Sequence, residues 1–537
     1  MLPLGARYLE DGNDSIAPDK LSLAVIISDD TGPPGHPSLS HLSGLGLAPK
    51  YQRSFHFDPP SKDYPTTPLL SLMTSVGRLP GPIPRAYFTP ERLAIIKDTQ
   101  QLYPSQFNFT RTINDLYLGK LMAEHPNTIL VNSFLSALRS EGFKPPHDGS
   151  NARGNDPASV RFPKNKHHRE FIQTTVDEEV KKHWVSPGSA FPLPGVTYNL
   201  IFVVELTNHR MRVVADHTSS GLNYGIQRTN CLTIYDTIID FIRLLCWHWF
   251  ALGLLTDTLV FWKLDVSSVF KILIMSKRWQ ARQGIAIKCK LSDGTLRTLY
   301  HIEWRGVFGC CAMPFLWTRF MSLLMWAAHN VYGIEHPLAY MDDAFGIDLA
   351  GLMVAYNHNG TTHTIPAQQA AMAALWTGLG MPFKLSPDKA PHGRRITITG
   401  IDCDLDSFSV SLPHKAIENL VREIDAFLLE SSPHPTLRKW RQMTGWLSWS
   451  LNVAPQARPY LTPLYKKLAG KKRSKAGVPI NTSVVTALAA MATLLVESPL
   501  LLGTGAGLGF WFEWKGTVHH YTVGRNKPTN VSNSQKP

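Results

Sequence analysis

The stretch Pro337-Leu-Ala-Tyr-Met-Asp-Asp-Ala-Phe-Gly-Ile-Asp348 places two adjacent carboxylates, Asp342 and Asp343, between short apolar segments. Apolar residues on both sides of a polar pair predict a buried β-hairpin whose tip carries the acids. Burying two like charges side by side is costly unless cations neutralise them, which favours a site for divalent metal. The alternative is a turn in which the two aspartates cap the loop. The choice depends on the rest of the sequence.

A third candidate acid, Asp265, ends the apolar segment Val260-Phe-Trp-Lys-Leu-Asp-Val266. This segment predicts a buried strand that opens into a turn at the carboxylate. Antiparallel strands lying side by side would bring the acid to Asp342 and Asp343 at one edge of a sheet. Three acids around two Mg²⁺ ions about 4 Å apart form a site for in-line phosphoryl transfer. Because Mg²⁺ keeps several water ligands, two or three protein carboxylates are enough.

Composition indicates a globular protein with an anionic partner. The 537 residues allow two to four compact units, and 44% hydrophobic against 18% charged residues is ordinary for a folded chain. A formal net charge of +13 and a pI near 9.3 favour a polyanion, either nucleic acid or an acidic membrane. The apolar runs 244–255 and 484–496 are shorter than the roughly 20 residues needed to cross a bilayer, so we expect no membrane partner.

The cysteine and histidine patterns argue against a structural zinc site. The six cysteines include no Cys-x-x-Cys pair, and the histidines show no zinc-ligand spacing beside them. In a chain of this size they are expected to be reduced, mostly buried thiols. The first residues contain too short an apolar run for a signal peptide. We therefore expect an intracellular protein, cytoplasmic or nuclear and not secreted.

Five regions follow from composition and periodicity. Residues 1–105, rich in Pro, Gly, Ser and Asp, are expected to form a poorly ordered arm. Residues 106–160 predict two short helices and a linker, and 161–412 alternates β-type and helical segments. Residues 413–475 predict helices and end in a basic run, which is either a solvated helix end or a phosphate-binding surface. Residues 476–537 end in a polar tail.

These motifs, taken in order from about Pro126 to Gly470, resemble the reverse transcriptases of fungal retroelements of the long-terminal-repeat or tyrosine-recombinase type. Leu264-Asp265 through Phe270 is similar to the family's first catalytic motif, and Tyr340-Met-Asp-Asp343 to its second. The resemblance implies that Asp265, Asp342 and Asp343 bind two Mg²⁺ ions, with Mn²⁺ as an alternative. It also implies that the ring of Phe270 excludes a 2′-hydroxyl group.

Further motifs imply contacts with the incoming nucleotide. The segment Thr207 to Asn223 resembles the family's fingers, with Arg212 in the triphosphate-binding position and Arg210 beside it. By themselves these arginines would more simply form a solvated strand face. The resemblance also assigns roles to three other residues: Gly309 in the loop that positions the template–nucleotide pair, Tyr340 as a substrate-binding residue, and Lys389 as the group that protonates the leaving pyrophosphate.

The resemblance implies an α+β fold of the right-hand polymerase class. Fingers and a ferredoxin-like palm are expected over 161–412 and a helical thumb over 413–475. The remainder, 476–537, resembles a truncated ribonuclease H domain, in which Gly503-Thr504-Gly505 replaces an Asp-Ala-Ser triplet. Ribonuclease H activity is therefore not expected.

The implied activity is RNA-directed DNA synthesis, in which deoxynucleoside triphosphates are added to a primer 3′-end. The implied partners are an RNA template, a DNA primer and their RNA–DNA hybrid. One alternative is a catalytically silent nucleic-acid-binding remnant of a degenerate retroelement. An RNA-dependent RNA polymerase would share the acids, but Phe270 argues against it. Two positions depart from the family: Val269, where the family often has Ala, and Glu205, close to where a Lys is expected.

Overall fold

The computed structural model describes residues 88–149, 163–205, 211–226, 231, 233, 235–250, 255–290, 294–429 and 434–497, and the backbone of three short strands beyond them. Three predictions fall outside these residues: most of the N-terminal arm, the position of Arg210, and the Gly503–Gly505 triplet.

Twelve α-helices lie in the described part of the chain. They are α1 (Pro90–Leu102), α2 (Asp115–Leu121), α3 (Thr128–Ser136), α4 (Lys166–Lys181), α5 (Ile238–Phe250), α6 (Lys277–Gln280), α7 (Met313–Asn330), α8 (Ala367–Leu379), α9 (His414–Leu428), α10 (Leu437–Ser450), α11 (Thr462–Leu468) and α12 (Thr482–Glu497). No helix among the described residues is long and apolar enough to span a membrane.

Strands of the described residues form five sheets. The strands are β1 (Tyr198–Glu205), β2 (Met211–Asp216), β3 (Leu259–Asp265), β4 (Gly284–Lys290), β5 (Leu296–Ile302), β6 (Leu338–Tyr340), β7 (Asp343–Leu349), β8 (Met353–His358), β9 (Thr361–Pro366), β10 (His392–Gly393), β11 (Arg395–Ile398), β12 (Ile401–Asp404), β13 (Ser409–Ser411), β14 (Leu500–Leu501), β15 (Gly509–Trp514) and β16 (Thr517–Thr522). Their orders are β2-β1-β4-β5, β10-β3-β7-β6, β11-β12-β13-β14, β8-β9 and β15-β16. The predicted α+β class is confirmed.

The described residues divide into two compact units. One takes in 88–241 and 261–392, and the other takes in 242–260 and the residues from 393 onward. The boundary near residue 392 precedes the one that the sequence places at 412. Strand β13 pairs antiparallel with β14, where Ser409 lies opposite Leu501. Strands so far apart in sequence leave no local pattern of their pairing. The sequence therefore could not show that the sheet β11-β12-β13-β14 belongs to the second unit.

Helix α1 corrects the predicted extent of the N-terminal arm. The sequence places 1–105 in the arm, but Pro90–Leu102 is helical. The Thr89 side chain accepts a hydrogen bond from the Arg92 amide, and Pro90 stands in the first turn, where its missing N–H costs nothing. The helix buries only Ile96 and Thr99, so its apolar periodicity is too weak to stand out in the sequence.

Strands β1 and β2 form a hairpin within 161–412, the region in which β-type segments are expected. Leu200 lies opposite Asp216 and Glu205 opposite Met211 in an antiparallel register. Strand β1 also pairs in parallel with β4, so the hairpin is part of a four-stranded sheet. Helix α4 covers this sheet with Ile172 and Val176. The hairpin therefore rests on a core of its own.

Helix α7 forms the centre of the first unit. It buries 15 of its 18 residues, so no face of it remains for solvent. It packs against β6 and against the 3-10 helix Val269–Ile272. Two predicted catalytic motifs therefore share one supporting helix.

The helices predicted over 413–475 are present as α9, α10 and α11. The side chain of Trp440 on α10 is fully buried, and its ring centroid lies 5.1 Å from that of Phe427 on α9. Its Nε1 donates a 3.0 Å hydrogen bond to the carbonyl oxygen of Val478. One tryptophan thus connects two helices and the segment that leads to α12.

We expect the substitution Trp440→Phe to lower the free energy of unfolding by about 1–3 kcal/mol, because it leaves the buried Val478 carbonyl without its donor. Trp449→Phe is the matched control, since the bond from Trp449 to Thr399 is longer, at 3.4 Å, and only partly buried. Urea unfolding of both variants measures the difference. A loss at position 449 as large as that at 440 would contradict the assignment.

Candidate active site

The predicted acid-tipped hairpin is formed by β6 and β7. Leu338 lies opposite Phe345 and Tyr340 opposite Asp343, which leaves Met341 and Asp342 as the two-residue loop. Met341 has a φ of +53°, the left-handed conformation that two-residue hairpin loops require. Its side chain is only 7% exposed, so core packing holds a residue that rarely adopts this conformation.

Two hydrogen bonds hold the tip of this hairpin. The indole Nε1 of Trp317, a fully buried residue of α7, donates to the carbonyl oxygen of Met341 at 2.6 Å. The amide of Val266 donates to the carbonyl oxygen of Asp342 at 2.9 Å. Because Val266 directly follows Asp265, the second bond places the end of β3 beside the acid pair.

The three carboxylates interact electrostatically. Burial, then the negative charges of Asp343 and Asp265, raises the pKa of Asp342 to about 7. Burial also raises the pKa of Asp343, although the ammonium group of Lys263 opposes the shift. Lys263 Nζ lies 2.8 Å from an Asp343 carboxylate oxygen. Lys389 forms an ion pair with Asp265.

The donor set fits a hard divalent cation. Asp265, Asp342 and Asp343 supply only carboxylate oxygens, which Mg²⁺ and Mn²⁺ prefer. Burial is the main cause of the raised pKa of Asp342, and the charges of Asp343 and Asp265 add to it; a bound cation would offset both effects. Within the described residues, no three Asp, Glu, His or Cys side chains are grouped as a ready-made metal site. Instead, Lys263 forms an ion pair with Asp343, and Lys389 forms one with Asp265.

Arg212 and Phe270 both lie close to the Phe308 ring. The Arg212 guanidinium carbon is 5.2 Å from the ring centroid of Phe308, and the Phe270 ring is 4.9 Å from it. Arg212 also lowers the pKa of Asp342 by its charge, so it lies within electrostatic reach of the acids. Phe270 is 1% exposed. The two predicted nucleotide-binding residues are thus connected through one aromatic side chain.

Gly309 occupies a position that only glycine fits. Its φ is +109°, and a Cβ there would lie 1.8 Å from the carbonyl oxygen of Ala215 at the end of β2. The side chain of Asn223 donates to the Gly309 carbonyl at 2.9 Å and accepts from the Cys311 amide at 3.1 Å. The loop is therefore clamped directly against the β1–β2 hairpin.

Tyr340 is covered by a second tyrosine. The ring centroids of Tyr340 and Tyr235 are 4.9 Å apart. Burial, then the charges of Asp342 and Asp343, raises the pKa of the Tyr340 hydroxyl. At neutral pH this hydroxyl is protonated and can donate a hydrogen bond.

The structure brings Asp265, Asp342, Asp343 and Lys389 together. It also connects Arg212, Phe270 and Gly309 through the Phe308 loop, and Arg210 lies outside the described residues. Sequence reasoning did not single out four contributors: Lys263, Phe308, Trp317 and Asn223. Lys263 carried a usable signal, because residues two apart on a strand share one face and it lies two before Asp265. The hydrogen bonds of Trp317 and Asn223 join segments far apart in sequence, so no local pattern could have predicted them.

Comparison with solved structures finds similarity to foamy viral protease–reverse transcriptases. The dRH form in complex with double-stranded DNA has 16% sequence identity and a TM-score of 0.41, over 79% of this chain and 63% of that one. The complex with RNA/DNA hybrid has 16% identity and a TM-score of 0.42, over 78% and 48%. A further complex with double-stranded DNA has 14% identity and a TM-score of 0.41, over 78% and 70%.

This chain spans less than two thirds of the length of the first two of those proteins. No protein-family model and no curated protein matches the sequence. Identities of 14–16% leave the function to be inferred from the residues of the site itself.

We expect Gly309→Ala to destabilise the first unit by roughly 1–3 kcal/mol or more, because alanine is strained at this φ and its methyl group meets a backbone oxygen. Gly351→Ala is the control, because no heavy atom lies within 4 Å of a Cβ there. Denaturant unfolding of both variants tests this. Equal stability of the two would show that the loop moves away from Ala215 without cost.

The pKa of Asp342 predicts a pH dependence of stability in chelator. Since its pKa is about 7 in the folded protein against an ordinary 3.8, the folded state keeps a proton that the unfolded chain releases between these values. This group's contribution to the free energy of unfolding therefore falls as pH rises from about 4 to about 7, by at most about 1.4 kcal/mol per pH unit. Asp342→Asn should remove that fall. The free energy of unfolding is measured for both proteins across this pH range. The same change with pH in both would contradict the prediction.

Proposed function

We propose that this protein is an RNA-directed DNA polymerase of a retroelement, which adds deoxynucleoside triphosphates to a primer 3′-end. The observation that carries the proposal is the meeting of Asp265, Asp342 and Asp343 where β3 ends beside the β6–β7 loop. Three carboxylates within electrostatic reach of one another are expensive to bury, and phosphoryl transfer with divalent cations is a chemistry that uses them.

In this proposal, Asp265, Asp342 and Asp343 hold two Mg²⁺ ions, or Mn²⁺ in their place. When bound, these ions would lower the pKa of the attacking 3′-hydroxyl and neutralise charge on the triphosphate and the leaving pyrophosphate. The role of the protein is then largely to position the reactants and to stabilise charge.

Side chains around the acids would supply the remaining functions. The guanidinium of Arg212, oriented by the Phe308 ring, would bind triphosphate oxygens through its fixed set of donors. The ammonium of Lys389, already paired with Asp265, would donate a proton to the pyrophosphate oxygen as it leaves. Phe270, whose ring centroid lies 4.9 Å from that of Phe308, would fill the space that a 2′-hydroxyl needs.

Template and primer would be bound through their phosphate backbones. In the second unit, Arg441 Nη2 donates to the carbonyl oxygen of Lys471 at 3.2 Å, so the basic run that follows lies against α10. The cations of this run, Lys471, Lys472, Arg473 and Lys475, are exposed. Phosphate contacts of this kind give affinity without sequence preference, which suits an RNA–DNA hybrid.

A polymerase of this kind would have the right-hand arrangement of fingers, palm and thumb. Fingers and a ferredoxin-like palm would occupy 161–412, a helical thumb 413–475, and a shortened ribonuclease H-like remnant the residues after 475. Polymerase activity without ribonuclease H activity is the expected combination.

One observation favours a second candidate, a catalytically silent nucleic-acid-binding protein. Lys263 and Lys389 pair with Asp343 and Asp265, so two of the three acids have counterions from the chain itself. A protein that had lost its reaction could keep its fold in this way.

Primer extension on poly(rA)/oligo(dT) with dTTP and Mg²⁺ distinguishes the two candidates. We expect extension by the wild type and a fall of more than about a hundredfold in Asp342→Asn, since charge stabilisation of the transition state is lost. Asp402→Asn is the control, because that carboxylate bonds the exposed Thr397 hydroxyl.

A folded wild type that extends no primer, yet binds the hybrid equally well in chelator, would identify the silent binder. Retention of extension by Asp342→Asn would mean that the acids are not the catalytic group.

A further inference from the structure

The ion pair between Lys263 and Asp343 is short and largely buried, unlike a typical surface salt bridge. Its nitrogen–oxygen distance is 2.8 Å, and the two side chains are only 19% and 18% exposed. Exposed lysines seldom hold one partner, because ordering the long side chain costs entropy. Here both groups are shielded from most of the solvent, so the attraction is screened less.

The backbone of Lys263 is held from two directions. Its amide donates to the carbonyl oxygen of Pro391 at 3.0 Å. Its own carbonyl accepts a 2.8 Å hydrogen bond from the side-chain Nε2 of Gln369, a fully buried residue of α8. The same Gln369 nitrogen also donates to Ala390 at 3.1 Å. The lysine is therefore fixed on β3 with its ammonium group at Asp343, and Gln369 ties it to the segment that carries Lys389.

The site contains three carboxylates and two ammonium groups within mutual reach. Lys389 meets Asp265 and Lys263 meets Asp343, while Asp342 has both other acids as like-charged neighbours. A divalent cation bound by these acids would take over the charge that Lys263 now neutralises. An ammonium group and a metal ion cannot both lie in the coordination direction of one carboxylate oxygen at close range, since like charges repel.

We propose that Lys263 is a resident counterion that competes with the divalent cation for Asp343 and so weakens the affinity of the site for metal. In the metal-free protein Lys263 neutralises Asp343, and it releases Asp343 when the ion enters. This inference rests on the proposed function only for the existence of the metal site.

Direct binding of Mn²⁺ tests the proposal without any polymerisation step. Free Mn²⁺ is measured by its electron paramagnetic resonance signal during titration of the wild type, of Asp342→Asn and of four lysine variants in the absence of nucleic acid. The lysine variants are Lys263→Met, Lys263→Gln, Lys263→Arg and, as a matched control, Lys384→Met, whose lysine is exposed on a neighbouring loop.

Removal of the charge in Lys263→Met or Lys263→Gln should tighten Mn²⁺ binding roughly tenfold, the scale on which groups around a metal's ligands alter its affinity. Lys263→Arg keeps the charge and should bind as the wild type does, and so should Lys384→Met. Lys263→Gln can still donate a hydrogen bond to Asp343, so it keeps the test available if Lys263→Met does not fold.

Two results would overturn the inference in distinguishable ways. Unchanged or weaker binding by a folded Lys263→Gln, while Asp342→Asn binds less than the wild type, would show a metal site in which Lys263 is not a competitor. Equal binding by the wild type and Asp342→Asn would show that the acids hold no metal, and the proposed function would then fail together with the inference.

Discussion

The first unit depends on one electrostatic problem, the concentration of negative charge at the tip of the β6–β7 hairpin. Asp342 and Asp343 are adjacent in sequence, and the end of β3 adds Asp265. Lys263 and Lys389 form ion pairs with two of these acids, while burial and the charges of the other two acids raise the pKa of Asp342. A fold gains nothing in stability from such a cluster, which is why it indicates chemistry rather than structure.

The surrounding core keeps this unfavourable cluster in place. Trp317 lies on a helix buried on all sides and bonds the backbone of Met341, whose left-handed conformation would otherwise relax. Val266 bonds the next carbonyl along the loop. Both hydrogen bonds go to backbone carbonyls, so neither uses the carboxylate of an acid. The packing of α7 is in this way part of the candidate active site although it carries none of the predicted catalytic groups.

Local signals explain what could be predicted about the fold. The β1–β2 hairpin, the acid-tipped hairpin and the helices from His414 to Leu468 all follow from periodicity and turn chemistry. Helix α1 was missed because it buries only two residues, although Thr89 and Pro90 carried a capping signal. The sheet that joins β13 to β14 was missed because its pairing spans many residues.

The sequence alone determined the three acids, their order and the two strand-ending motifs that carry them, because each is a local pattern of apolar and charged residues. Only the tertiary structure decided which charges face them. The pairing of Lys263 with Asp343 and the stacking of Arg212 on Phe308 depend on how separate segments pack. Ion pairs and ring contacts act over a few ångströms in space, and a linear pattern does not record which distant segments come within that range.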